Sequence, residues 1–152
     1  NRTINEVGRK FVTKVTKETR EDYNITASNL KKAMKVVKSS LETLDFNIKV
    51  ESELKSVGVN FGARKLKKKG HTSFKIKKKA GTKPLQNSFF AKNGKVVLFR
   101  VKGTQEVHVL KTLSIPQMFK DKTISNAQEQ AKSEFTSKLK HNLEFYSGMK
   151  QK

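Results

Sequence analysis

Ile4, Val7, Phe11, Val12 and Val15 recur at three- and four-residue spacing, with Arg9, Lys10, Lys14 and Lys17 turned away from them. That period predicts an amphipathic helix over residues 1–18. A polar turn, Arg20 to Asn24, follows, and Thr26 is placed to cap a second helix over 26–38 whose apolar side is Leu30, Ala33, Met34 and Val37. Leu44, Phe46, Ile48 and Val50 then alternate with Asp45, Asn47 and Lys49, the period of a half-buried strand over 42–51. Further strands are predicted at 72–79, 87–91, 95–102 and 106–111, separated by turns at Gly81, Pro84, Asn93-Gly94 and Gly103. Ile124, Ala127, Ala131, Phe135, Leu139 and Leu143 restore the helical period over 123–146. The expected fold is α+β, an antiparallel sheet packed against two N-terminal helices and a long C-terminal helix.

With 152 residues the chain suits a single domain over 1–152, small enough for one core. Its longest clear apolar run, Val96 to Phe99, is far short of the roughly 18–20 residues that cross a bilayer, so no membrane partner is expected. Cysteine is absent, which leaves neither disulfides nor thiolate metal sites. Asn1 already lies inside the helical pattern, so a further N-terminal stretch is expected ahead of it.

Charge changes the picture more than composition does. The net charge of +21 is unevenly spread: from Leu54 to Gln105 there are fifteen Lys and Arg and no Asp or Glu, while residues 1–53 carry eleven bases against eight acids and 106–152 eight against five. The middle therefore supplies +15 and each flank +3. Such segregation favours an anionic neighbour, nucleic acid or an acidic protein surface. Two runs stand out, Arg64-Lys65-Leu66-Lys67-Lys68-Lys69 and Lys77-Lys78-Lys79, with Lys75 between them. They are expected on one basic hairpin or arm at about 54–84 and are the candidate contacts to DNA or an acidic partner, against the ordinary reading of a solvated loop.

Catalytic chemistry finds no footing. His71, His108 and His141 fall in no nucleophile or metal-ligand spacing, and the glycines match neither a P-loop nor a dinucleotide fingerprint. Glu129 and Glu134 share no helical face that would pair them as acid and base. No enzyme activity, cofactor or metal is expected. The two opening helices have the outline of a helix-turn-helix, with Asn29, Lys31, Lys32 and Lys35 as groove-facing candidates, and Phe74, Phe89, Phe90 and Phe99 among lysines have the composition of a base-stacking sheet. Ordinary helix packing and core phenylalanines explain both more cheaply. A free-standing basic nucleic-acid-binding protein, using the helical hairpin and the Lys-rich arm, is the alternative reading.

Three segments carry a family resemblance. Asn87 to Arg100, with Phe89-Phe90-Ala91-Lys92, the Asn93-Gly94 turn and Val97-Leu98-Phe99-Arg100, resembles the strand pair of the phage minor tail protein Z family. Leu113-Ser114-Ile115-Pro116-Gln117-Met118-Phe119 is similar to that family's S-V-P-Q-M-F element, and the helix ending in Phe135, Leu139, Lys140-His141 and Leu143 resembles the one that follows it. Lys17-Glu18-Thr19 and Gly62-Ala63-Arg64 are similar to earlier family elements. Asn24 stands where the family turn commonly has Gly, and Lys replaces much of its Arg, which weakens any expectation of bidentate phosphate or carboxylate contacts.

The resemblance implies a structural virion protein at the head-proximal end of a phage tail, completing the tail and supporting head–tail joining and DNA passage, in the host cytoplasm during assembly. It implies copies of itself in a ring, sixfold, with the tail terminator, tail tube, tape measure or head connector proteins as partners and genomic DNA in the lumen. Ile115, Pro116, Gln117, Met118 and Phe119 are the candidate protein interface, with the core as their other destination.

Overall fold

A computed structural model of the chain describes residues 1–149. Helix α1 runs Arg2–Asp22, α2 Ala27–Ala33 and α4, the longest, Asp121–Met149. Between α2 and α4 lie the short helix α3, Val57–Asn60, and eight strands. These form three separate antiparallel sheets: β1 (Met34–Val37) with β2 (Asn47–Val50); β3 (Arg64–Lys65), β4 (His71–Phe74) and β5 (Lys83–Gln86); and β6 (Ser88–Phe90), β7 (Val97–Arg100) and β8 (Val107–Val109). A 3-10 turn at Pro116–Met118 leads into α4. The fold is α+β.

α1 outruns its expected end by four residues because Thr19 is buried and the backbone of Asp22 and Asn24 is occupied: Lys78 N–H donates to the Asp22 carbonyl at 2.8 Å and Asn24 N–H to the Ile76 carbonyl at 2.8 Å. Thr26 caps α2, its hydroxyl accepting from Asn29 N–H at 3.3 Å. That helix stops at Ala33 rather than 38, and Met34–Val37 turns into a strand. The β-branched pair Val36-Val37 is a poor helix former, and strand β2 needs a partner for its backbone groups. The nearest chain supplies it, in the register Met34↔Val50 and Val36↔Ile48.

Three sheets replace the expected one. Strand β4 ends at Phe74 instead of 79 because the chain leaves the sheet there to pair with the end of α1, through an isolated bridge between Lys77 and Tyr23. The second and third sheets are joined by a buried polar cluster: Ser88 Oγ accepts from Thr72 N–H at 3.0 Å, lies 2.7 Å from Thr72 Oγ1 and donates to the Leu85 carbonyl at 2.6 Å. Asn87, with φ of 54°, makes the kink between β5 and β6.

The core draws on every part of the chain, with Leu30, Val57, Phe61, Ile115 and Met118 at its centre and Val15, Tyr23, Ile25 and Ala127 around them. Gly58 permits one close approach, since a Cβ there would stand 2.3 Å from the Lys95 carbonyl oxygen. α4 lies along α1 through polar pairs: Lys138–Glu6 at 2.8 Å, Lys10–Glu134 at 2.7 Å, and Asn142 donating to Thr3 at 2.9 Å. Lys120, just ahead of α4, reaches Asp22 at 2.5 Å.

Candidate functional site

The basic segment is folded into the protein at several points instead of projecting as one long hairpin. α3 anchors its start through Val57 and Phe61, both buried. Arg64 and Lys65 lie exposed on β3, paired with Ser73 and Thr72. Leu66 N–H donates to the His71 carbonyl at 3.1 Å, so Lys67, Lys68 and Lys69 form a short exposed loop closed by Gly70. Lys75 is half-buried beyond Phe74, and Lys77, Lys78 and Lys79 are exposed on the segment tied to the end of α1. The two lysine runs therefore sit at opposite ends of β4, about 20 Å apart at strand rise from Lys69 to Lys75.

Their surroundings differ. The Lys77 ammonium lies 5.9 Å from the centroid of the Tyr23 ring, a cation–π approach. Hydrogen bonding from Lys120 depresses the Asp22 carboxyl below its ordinary range, with Lys79 and Lys77 adding to the effect by charge. The 67–69 loop has no such neighbour: Ser88 N–H donates to the Gly70 carbonyl at 3.0 Å, which places the loop beside the start of β6. The Asn87 carbonyl accepts from Arg100 N–H at 2.8 Å, bringing β7's arginine to the same end.

Ion pairing sets the segment apart more sharply than position. Seven ion pairs of Lys or Arg with a carboxylate occur among the described residues, and their cations are Arg2, Lys10, Lys14, Lys35, Lys49, Lys120 and Lys138. None of the fifteen cations of 54–105 is among them. The carboxylates that are paired, Glu6, Glu18, Asp22, Glu51 and Glu134 among them, are engaged by flank cations, and the central cations stand outside every ion pair among the described residues.

Of the other candidate residues, Ile115 and Met118 are fully buried members of the core, Pro116 and Gln117 are exposed, and Phe119 is half-buried. Gln117 Oε1 accepts from Ser114 N–H at 2.9 Å, closing the 3-10 turn on itself. α2, at seven residues, is too short for a groove-reading helix; Asn29 on it is held by Asn60 at 2.9 Å, and Lys35 lies in β1, paired with Glu51 at 3.0 Å. His71 contacts the Lys69 carbonyl and His108 lies 3.5 Å from Glu106, while His141 is exposed on α4. Among the described residues no group of three or more His, Cys, Asp or Glu is placed to hold a metal.

Two apolar features are built from positions of the sequence pattern that the core does not fully cover. A cleft of about 490 Å³ between α1, α4 and the β1–β2 hairpin is lined by Val7, Phe11, Phe46, Ile48, Ile124 and Phe135, among others. The stripe of α4 that lines it leaves the fold toward the end of the helix, where Leu139, Leu143, Phe145 and Tyr146 are exposed.

An α+β body whose central cations stand outside every ion pair among its described residues presents a surface suited to an anionic partner. Residues 1–150 match the family of prophage minor tail protein Z (GPZ), and the chain belongs to that family. It is a structural protein of a phage tail and a component of the virion. No curated protein and no solved structure matches it. Among the described residues no helix is long and apolar enough to cross a membrane.

Proposed function

We propose that this tail protein acts at the neck, the head-proximal end of the tail, where it completes the tail and supports head–tail joining and DNA passage as one subunit of a sixfold ring. Its partners in this reading are copies of itself, the tail terminator, tail tube, tape measure or head connector proteins, and genomic DNA in the lumen. The observation that carries the reading is the set of fifteen cations in 54–105 with no carboxylate partner among the described residues. A ring through which DNA passes needs a surface that holds phosphate without base contacts, and unpaired lysine supplies it. Contact with an acidic face of a neighbouring ring would use the same charge.

The test is removal of the gene from the phage. The expected result is tails of nearly complete appearance and full heads that do not join into infectious particles, with rescue by the wild-type chain. Normal infectivity of the deletion would sink the role.

A further inference from the structure

The loop between β1 and β2 is built to expose what most loops conceal. Asn5 of α1 pins it from both sides, its Oδ1 accepting from Ser39 N–H and its Nδ2 donating to the Ser39 carbonyl, each at 2.9 Å. Within the loop, Ser40 N–H donates to the Thr43 carbonyl at 2.9 Å, Ser39 Oγ donates to the same carbonyl at 3.0 Å, and Ser40 Oγ accepts from Thr43 N–H at 3.1 Å. So well-bonded a turn is a preformed shape. Yet Leu41 at its tip is 90% exposed and Leu44 67%. Glu42 and Asp45 lie between and beside them, residues 39–48 contain no Lys or Arg, and neither acid enters an ion pair among the described residues. The loop is an acidic knob with two leucines.

Its complement is on the third sheet. The registers Phe89↔Leu98↔Val109 and Arg100↔Val107 put these five side chains on one face. Phe89, Val107 and Val109 are exposed there, so the face is apolar and open. Strand alternation carries it on to Lys111, while Glu106, the one acid of the β7–β8 hairpin, falls on the other face beside His108. Arg100 and Lys111 are outside every ion pair among the described residues.

Knob and face cannot meet within one chain. The knob is fixed at Asn5, near the start of α1. The sheet is held at the other end of that helix, through Gly58 against Lys95 and Val97 and through Asn24 donating to the Phe61 carbonyl at 3.3 Å. α1, at about 1.5 Å per residue, keeps them roughly 30 Å apart. We infer that the Leu41–Leu44 knob of one copy docks on the Phe89/Leu98/Val109 face of the next, with Glu42 and Asp45 against Arg100 and Lys111. The contact joins two different surfaces, so it is head-to-tail and repeats from copy to copy, closing into a ring when the rotation per copy divides a full turn. This rests on the ring reading above and names the surfaces that would build the ring.

The chain has no cysteine, so introduced thiols are unambiguous. The full chain carrying both Leu41→Cys and Val109→Cys is expressed in place of the natural one and oxidised in assembled tails. Because a disulfide needs Cα atoms within about 7 Å, the two sites in one chain cannot bridge. The expected result is a ladder of covalent multimers from the double variant and from the second pair, Leu44→Cys with Val107→Cys, and none from any single variant; circular dichroism checks that each variant is folded. A 41–41 dimer from the single variant, or no ladder while an amine-reactive cross-linker still yields multimers, overturns the docking and leaves the ring standing. Absence of multimers with both reagents overturns the ring as well.

Discussion

Single atoms decide how tightly the strand-rich half is joined. Ser88 Oγ serves Thr72 N–H, the Thr72 hydroxyl and the Leu85 carbonyl in a site where Ser88 and Thr72 are both fully buried. Ser88→Ala removes the shared atom and leaves the buried Thr72 hydroxyl without its partner, which is expected to cost about 1–3 kcal/mol in denaturant unfolding. An unchanged midpoint would mean that water or Thr72 itself repairs the gap. Gly58 is a matter of space: an added methyl would press on the Lys95 carbonyl, which belongs to the backbone and has nowhere to turn. Gly58→Ala is expected to destabilise by about 1–3 kcal/mol, as overpacking does, with the effect read from the thermal midpoint. At the same scale, charge was easy to read and its engagement was not. The lysines are visible in the sequence, whereas which of them lack a carboxylate depends on where Glu6, Asp22, Glu51 and Glu134 fold.

Among the elements, α4 depends on titrating partners to a degree that its apolar stripe did not suggest. Glu6 is held below the usual carboxylate range by hydrogen bonding to Lys138 and then Arg2, Glu134 by Lys10 and then Gln130, and Asp22 by Lys120. A carboxyl depressed in the folded state contributes stability that is complete above its unfolded pKa, about 4, and disappears as pH falls through the lower folded value. Acidification below about pH 4 is therefore expected to loosen α4 from α1 ahead of the sheets. Amide exchange at pH 3 and pH 6 checks this: protection in α4 should fall more than protection in β4 and β7, and a uniform decrease would contradict it. The helices at both ends of the chain were legible because their apolar residues return every three or four positions. The end of α2 was not, since Met34 and Val37 fit the helical period, and their strand conformation follows from pairing with residues 47–50.

On the scale of the whole molecule, the two lysine runs make separable predictions. The side chains of Lys67, Lys68 and Lys69 are exposed and enter no ion pair among the described residues, so reversing all three to Glu is expected to leave the fold intact and to impair head–tail joining or DNA retention, scored as infectious particles. If the run meets duplex DNA, every phosphate that the reversal leaves unneutralised should flatten the logarithmic salt dependence of binding by about 0.9. If it meets an acidic protein, binding of that protein falls and DNA affinity stays. Reversal of Lys77 and Lys78 should by contrast lower thermal stability, because Lys77→Glu faces Asp22 and gives up the Tyr23 contact. Wild-type infectivity of the 67–69 reversal would reduce that run to a solvated surface.

The linear order of the chain was enough to establish the α+β class, the helices at the two ends, the turns at Asn93-Gly94 and Gly103 and the segregation of charge, whereas Pro84, expected in a turn, lies in β5. Each of these is local: periodicity, turn chemistry and composition act over a few residues. The family resemblance, carried by residues 87–100 and 113–119, was likewise a matter of short segments. Only tertiary structure decided that one sheet becomes three, that Ile115 and Met118 fill the core while Pro116 and Gln117 stay outside, and that the basic middle is divided between two ends of β4. Those outcomes turn on which distant backbone groups find partners, such as Asn24 with Ile76 and Lys55 with Leu113, and on which buried volume each apolar side chain reaches first. Such competition between remote segments leaves no period in the sequence to read.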